Sequence, residues 1–224
     1  MSFSKRLLYF MVHTLGFTNK EAKHLLEQGR IKLDGNVALT NCLLDGLSEI
    51  SVDNTIKRAK KSFIYLKFNK PAGFESTLNE KIADNLSGFF KDFEQLFIAG
   101  RLDKQSEGLL LLSNDGKWVE TLCNPKFEKE KEYEVTLDKE ADQAFADQFM
   151  LGVRIGSYVT QPCLCRLMGD RVISVTLREG KNRQIRKMCR TLGYQVIRLN
   201  RRRIGQIFLN DLPLAAMEPI TGLS

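Results

Sequence analysis

Two strand-like segments follow each other directly at residues 158–167 and 172–178, with no helical pattern between them. Strands that are joined by a short turn pair antiparallel, whereas a parallel pair needs a long crossover connection. Helical patterns occur elsewhere in the chain, but they do not alternate strictly with strands as a doubly wound parallel sheet requires. We therefore predict an α+β fold.

Apolar periodicity predicts the remaining elements of the larger part of the chain. Further strand patterns occupy residues 63–68, 108–113, 131–137, 195–199 and 206–209. Helical patterns occupy residues 82–93, 117–123, 140–150 and 182–192.

The first 55 residues are organised differently. Thr18 and Glu21 have the spacing of a capping box, and Asp34 and Gly35 form a turn signal between two short strands, which predicts a helix–helix–hairpin unit. A polar, basic stretch follows, and a chain of 224 residues is long enough for two bodies. We predict a small module at residues 1–55, a linker at 56–61 and a larger domain at 62–224.

The charge of the chain is unbalanced: 34 Lys and Arg residues against 27 Asp and Glu residues give a net charge of +7. Such an excess favours a polyanionic partner, with nucleic acid as the first candidate. The five cysteines lack the paired spacing of a zinc site, so we expect reduced thiols and no metal. No apolar stretch approaches the roughly 20 residues of a membrane span, and we expect a cytoplasmic protein.

The segment GRLDKQSEGLLLLSNDG, residues 100–116, brings charged side chains to the beginning of an apolar strand. Asp103 lies where the loop approaches this strand, and a carboxylate on such a rigid support can act as a nucleophile or a base. The alternative is a surface carboxylate that pairs with Arg101 or Lys104.

Residues 174–210 contain ten basic residues against one acidic residue, Glu179. On a helix that begins near residue 182, four cations form a stripe opposite an apolar face: Arg183, Arg186, Lys187 and Arg190. This concentration is the electrostatic footprint of an RNA or DNA site. The alternative is a solvated charged face.

Tyr133 lies in a strand between two glutamates and is either a core residue or a platform on which a nucleobase stacks. His13 and His24 lie far in sequence from the charged segments. A histidine-based catalytic triad is therefore not expected.

Four motifs in this order resemble the RsuA-type family of bacterial ribosomal-RNA pseudouridine synthases. They are NKPAG at 69–73, GRLDKQSEGLLLLSNDG at 100–116, KEYEV at 131–135, and EGKNRQIRKM at 179–188 followed by LNRRRIG at 199–205. The resemblance covers nearly the whole chain, and the N-terminal unit resembles the S4 RNA-binding module of that family. The resemblance implies a small S4-like module followed in the chain by an α+β catalytic domain with a mostly antiparallel mixed sheet.

The resemblance also implies site residues. Asp103 matches the essential catalytic aspartate, Tyr133 the tyrosine that stacks on the target uracil, and Arg186 the basic residue that pairs with the aspartate. Leu199 matches an apolar residue of the pocket wall, and Arg101 is expected to enter the space that the extruded nucleotide leaves. A further set is expected to contact RNA: Lys5, Arg6, Lys20, Lys23, Lys32, Lys181, Arg183, Lys187, Arg190, Arg201, Arg202 and Arg203.

The implied reaction converts a uridine within RNA to pseudouridine, and the motifs resemble most the large-subunit (23S) branch that also acts on a tRNA. No cofactor or metal is expected, because the reaction involves no redox change, group transfer or hydrolysis. The expected partner of this monomer is RNA, ribosomal RNA before tRNA, and no membrane. The alternatives are a 16S or tRNA pseudouridine synthase, or a non-catalytic RNA-binding or ribosome-assembly protein that keeps the fold.

Overall fold

The computed structural model describes residues 6–44, 48–60, 62–93 and 95–221. The chain divides into two compact units, Met1–Phe63 and Ile64–Ser224. Among the described residues, the first unit has one buried apolar cluster and the second unit has three. Lys5, one of the residues expected to contact RNA, lies outside the described residues.

The described residues of the first unit form two helices and a four-stranded sheet. The elements are α1 (Leu7–His13), α2 (Asn19–Glu27), β1 (Ile31–Leu33), β2 (Asn36–Val37), β3 (Ile50–Val52) and β4 (Thr55–Arg58). The strand order is β2-β1-β3-β4, and all three pairs are antiparallel. Leu7, Met11, Leu25, Ile31 and Ile50 belong to one buried cluster, so both helices pack against the sheet.

Local sequence signals account for most of this unit. The Thr18 hydroxyl accepts from the backbone N–H of Glu21 at 3.2 Å, and the Glu21 carboxylate accepts from the backbone N–H of Thr18 at 2.7 Å. The predicted helix–helix–hairpin order is present. The structure adds a second strand pair, and β4 occupies the first half of the predicted linker because its backbone pairs with β3.

The described part of the second unit contains three helices and eleven strands. The helices are α3 (Gly116–Cys123), α4 (Gln143–Met150) and α5 (Gln184–Thr191). The strands are β5 (Tyr65–Lys70), β6 (Phe97–Ala99), β7 (Glu107–Ser113), β8 (Lys131–Leu137), β9 (Arg154–Ile155), β10 (Tyr158–Val159), β11 (Leu164–Gly169), β12 (Val172–Leu177), β13 (Val196–Ile204), β14 (Ile207–Phe208) and β15 (Met217–Pro219). No helix within the described ranges is long and apolar enough to cross a membrane.

One large sheet organises the second unit. Its strand order is β11-β12-β8-β13-β7-β5-β15, with β6 added to β7 and β14 added to β13. Strands β7 and β13 are parallel, whereas the other pairs among the described strands are antiparallel. The predicted α+β class with a mostly antiparallel mixed sheet is confirmed.

The central position of β7 follows from its four leucines. Leu109 and Leu111 belong to one buried cluster, and Leu110 and Leu112 belong to another. Since side chains alternate between the faces of a strand, β7 is covered on both faces. The loop that enters β7 is therefore attached to the most deeply buried strand of the unit.

The helix predicted at residues 82–93 is wrong. Within the described part of this segment, one 3₁₀ turn occupies Ser87–Phe89. The rings of Phe89 and Phe90 pack against Phe68, with centroids 5.2 and 5.1 Å apart. The spacing of the aromatic residues matches that of an amphipathic helix. The central Gly88 disfavours a helix, and an irregular backbone achieves the same packing.

Two strand predictions also change. The strand predicted at 158–167 is divided into β10 and β11. The strand predicted at 195–199 extends to Ile204 as part of β13, which carries three consecutive arginines, residues 201–203, into the sheet. Pairing with β7 and β8 on either side extends this strand.

Candidate active site

Asp103 lies in the loop of residues 100–106 between β6 and β7. The Ser76 hydroxyl donates to the carbonyl of Leu102 at 2.8 Å and accepts from its N–H at 3.0 Å. The backbone N–H of Ser106 donates to the carbonyl of Asp103 at 2.9 Å. The side chain of Asp103 is 27% exposed, so a fixed backbone presents a partly open carboxylate.

Lys70, the last residue of β5, is fully buried beside this loop. Its ammonium donates to the carbonyl oxygens of Ser106 at 2.8 Å, Pro71 at 3.0 Å and Asp103 at 3.4 Å. Burial lowers the pKa of Lys70 from 10.5 to about 8, against the opposing effect of the Glu75 carboxylate. The strand predicted from the sequence ends at residue 68, so Lys70 is not recognised as part of it; the available signal was a lysine that follows an apolar strand pattern directly.

Arg201 is a second buried cation at the same loop, with 2% of the residue exposed. Its Nε donates to the carbonyl of Leu109 at 2.7 Å, and its Nη1 donates to the carbonyl of Arg101 at 3.3 Å. These two carbonyl groups lie on either side of Asp103 in the chain. The structure contradicts the expected RNA contact by Arg201, because its guanidinium is buried and bonded to these two carbonyl groups.

β7 and β13 approach each other closely at Gly108. Its φ of +104° is unfavourable for residues with a β-carbon, and a β-carbon there would lie 2.5 Å from the carbonyl oxygen of Arg201 and 2.6 Å from its nitrogen. Glycine is therefore required for the parallel pairing of the two strands at this point.

Arg186 does not pair with Asp103 in this structure. Its Nη1 donates to the carbonyl of Val196 at 3.0 Å, and its Nη2 donates to the carbonyl of Gln105 at 3.1 Å, so it connects α5 to the loop and to β13. Among the described side chains, the cation that reaches the carboxylate is Arg183, with Nη1 4.0 Å from Oδ2 of Asp103. Burial, and then the charge of Arg183, lower the pKa of Arg186.

Tyr133 and Leu199 lie on the adjacent strands β8 and β13. Tyr133 is opposite Arg201, and Leu199 is opposite Val135, so the two are diagonal neighbours on one face of the sheet. Both are buried in the same apolar cluster as Leu102, the residue before Asp103. Tyr133 is 8% exposed and lies in an apolar cluster that extends to the loop of the carboxylate.

The other residues expected to contact RNA differ in exposure. Lys20, Lys23, Lys181 and Arg190 are exposed, and Arg6, Lys32, Arg183, Lys187, Arg202 and Arg203 are half-buried. Arg203 donates to Glu132 of β8 at 2.8 Å and lies 3.3 Å from Glu130, the residue before β8, so two carboxylates compensate its charge. The expected RNA contact by Arg203 stays a prediction, which these two ion pairs oppose. The side chain of Arg101 is exposed.

Within the described residues, no group of three or more His, Cys, Asp or Glu side chains is arranged to hold a metal ion. Burial raises the pKa of Cys163 to about 11 and the pKa values of Cys165 and Cys189 to about 12. These thiols stay protonated near neutral pH, and a protonated thiol is a poor nucleophile and metal ligand.

Comparison with known proteins relates this arrangement to RNA-modifying enzymes. Residues 64–191 match the family model described as RNA pseudouridylate synthase. The chain is 34% identical over 206 residues to the dual-specificity RNA pseudouridine synthase RluF of Escherichia coli (strain K12), which covers 91% of this chain and 71% of that protein.

Two further relatives act on the two ribosomal subunits according to their names. The ribosomal small subunit pseudouridine synthase A of Pseudomonas aeruginosa is 31% identical, covering 96% of each chain. The ribosomal large subunit pseudouridine synthase B of Bacillus subtilis (strain 168) is 30% identical, covering 93% of this chain and 88% of that protein. A crystal structure of a pseudouridylate synthase aligns with a TM-score of 0.66 at 26% identity, covering 96% of both chains.

Proposed function

This chain belongs to the RNA pseudouridylate synthase family, and we propose that it converts one uridine of ribosomal RNA to pseudouridine with Asp103 as the catalytic carboxylate. The observation that carries the assignment of Asp103 is its support. Its loop is bonded to Lys70, Arg186 and Arg201 through backbone carbonyl groups, while the carboxylate itself stays partly open. Such preorganisation is the usual property of a catalytic group.

The reaction rearranges one nucleotide without adding or removing atoms overall. The bond from N1 of the uracil to C1′ of the ribose breaks, the base turns in the pocket, and C5 forms the new bond to C1′. The proton on C5 is lost, and N1 is protonated. A stacked base does not expose these atoms, so the uridine has to be flipped out of its helix.

Each residue is assigned a role in this reaction. Asp103 attacks C1′ or C6, or removes the proton at C2′, since an ionised carboxylate can act as a nucleophile or as a base. Tyr133 stacks on the uracil, and Leu199 contributes to the pocket wall. Arg186 fixes the loop of Asp103 through the Gln105 carbonyl, and the exposed Arg101 fills the space that the flipped nucleotide leaves.

The first unit is proposed as the S4-like RNA-binding module. Exposed lysines of α2, Lys20 and Lys23, and the half-buried Arg6 and Lys32 support a phosphate-binding role. The names of the relatives include a large-subunit, a small-subunit and a dual-specificity enzyme, which supports an RNA substrate of this class. From the motif resemblance we propose a uridine of 23S ribosomal RNA as the target, with 16S ribosomal RNA or a tRNA as the alternatives. A monomer in the cytoplasm, where ribosomal RNA is found, fits this proposal.

Release of tritium tests the activity. Ribosomal RNA transcribed with uridine that is tritiated at C5 loses tritium to water only when C5 exchanges its hydrogen for the new glycosidic bond. The wild-type chain should release tritium, and Asp103→Asn, a nearly isosteric change, should release none while binding RNA with similar affinity. Equal release by both proteins would remove Asp103 from the mechanism, and no release by the wild type would contradict the proposed substrate.

A further inference from the structure

The residue that precedes α5 is unsuited to its position in the helix. Arg183 is the N-cap residue and has a left-handed backbone, with φ +51° and ψ +34°. This conformation is unfavourable for residues with a β-carbon, and glycine or asparagine adopts it more readily.

Two further rules of helix structure are broken at this residue. N-cap positions favour short side chains that accept a hydrogen bond from the first turn, and Arg183 makes no such bond. A cation at this end also adds to the positive end of the helix dipole. Local structure therefore does not explain an arginine here.

The side chain of Arg183 has partners in the loop of Asp103. Its Nη1 lies 4.0 Å from Oδ2 of Asp103, and its Nη2 donates to Oε1 of Gln105 at 3.3 Å. The side chain is 38% exposed, so it lies at the mouth of the candidate site and not within the core. Its charge also acts unfavourably on neighbouring Arg186, whose pKa it lowers. Strained or unfavourable arrangements of this kind concentrate at functional sites, where other interactions hold them.

We propose that Arg183 is a positioning residue of the isomerisation, whose guanidinium orients the carboxylate of Asp103 and compensates its charge at the mouth of the site. The residue acts through Asp103, so the inference rests on the proposed function. It also revises the expectation from sequence, in which Arg183 contacts RNA and Arg186 pairs with the aspartate. In this arrangement, Arg186 bonds to the backbone of the loop and feels the charge of Asp103, whereas Arg183 approaches the carboxylate to 4.0 Å.

Arg183→Gly separates this role from a structural one. Glycine removes the guanidinium and fits the left-handed backbone, so the melting temperature should stay equal or rise. The single-turnover rate at saturating RNA should fall on the order of 10²-fold, because the reacting group loses its orientation. The dissociation constant for RNA should change much less than the rate. Arg183→Lys, which keeps the charge, should recover part of the lost rate.

Matched variants control for the backbone and for the charge. Glu128 is also left-handed, with φ +43°, and is exposed, so Glu128→Gly tests glycine at such a position alone. Arg171, exposed between β11 and β12, loses one surface charge in Arg171→Ala. Both control variants should keep the wild-type rate. Arg183→Asn provides a second variant without the cation whose residue tolerates the left-handed backbone.

The outcomes separate this inference from the proposed function. If Arg183→Gly and Arg183→Asn keep the wild-type rate and only bind RNA more weakly, Arg183 is a phosphate contact and the inference is overturned. If Arg183→Gly loses rate and melting temperature together and Arg183→Lys recovers nothing, the residue is merely structural, which also overturns it. A wild type without activity, or an active Asp103→Asn, would instead reject the proposed function and its dependent inference.

Discussion

Lys70, Arg186 and Arg201 each donate to backbone carbonyl oxygens of the chain around Asp103. Burial of a cation costs free energy unless polar groups replace the water around it. Here backbone carbonyl groups do so through charge-assisted hydrogen bonds. As a result, hydrogen bonds from three side chains fix the backbone of the loop. These three cations therefore bond to the backbone of the loop and not to the carboxylate of Asp103.

The lowered pKa of Lys70 predicts a pH dependence of stability. Its pKa is about 8 in the folded protein and 10.5 when the group is unperturbed, so the unfolded chain binds more protons between these values. The free energy of unfolding should therefore rise with pH from about 8 to 10.5, by up to about 3 kcal/mol, and the contribution should be constant below and above this range. Urea unfolding of the wild type and of Lys70→Met at about pH 7.5 and about pH 10 checks this prediction. A difference between the two proteins that does not change with pH would contradict it.

The parallel contact of β7 with β13 is the element-level feature on which the site depends. It joins the half of the sheet that carries Tyr133 and Leu199 to the half that carries Lys70, and the loop of Asp103 enters β7 directly before it. Gly108 allows the close approach of the two strands. A change in this spacing should therefore affect catalysis and stability together.

Gly108→Ala should destabilise the protein by about 3 kcal/mol or more, because the β-carbon overlaps the backbone of Arg201 and φ is +104°. Turnover should fall in parallel. Gly116→Ala is the matched control, since a β-carbon at Gly116, the first residue of α3, meets no atom within 4 Å. Thermal unfolding of both variants provides the measurement. A Gly108→Ala protein as stable as Gly116→Ala would show that the strands can separate without cost.

The sequence predicts elements well where a local signal and burial agree. The capping box of α2 and the leucines of β7 are such cases. The segment at 82–93 shows the opposite, since its aromatic residues satisfy tertiary packing without a helix. The sequence predicts an RNA contact for Arg201 and does not single out Lys70. Both are buried by pairing between strands that are distant in sequence, which periodicity does not reveal. The motif resemblance predicts Asp103 as the catalytic residue, but the ion pair with Arg183 depends on the backbone before α5, which no motif describes.

At the scale of the whole molecule, RNA binding depends on how many of the basic side chains remain exposed and unpaired. Burial removes Arg201 from the basic segment of residues 174–210, and ion pairs neutralise Arg203. Lys187 and Arg190 on α5, together with Lys181 before it, remain solvent-accessible. Within the basic segment, we therefore propose these three residues as cations that a phosphate of RNA can reach.

RNA binding should weaken steeply with salt, because phosphate contacts release counterions. Arg190→Gln should reduce the slope of log K against log salt concentration by about 1 if Arg190 contacts a phosphate. Arg203→Gln should leave the slope unchanged, because its charge is already neutralised by Glu130 and Glu132. Filter binding over a range of salt concentrations measures both slopes. A flat dependence for the wild type would exclude this surface from the RNA interface.

The most direct test of the central claim is a map of pseudouridine in ribosomal RNA from cells that lack the gene, complemented with the wild type or with Asp103→Asn. Carbodiimide adducts stop primer extension at pseudouridine, so each modified site gives one stop. We predict that one stop in 23S ribosomal RNA disappears on deletion and returns with the wild type but not with Asp103→Asn. An identical ribosomal RNA map in the parent strain, the deletion strain and the two complemented strains would contradict the account.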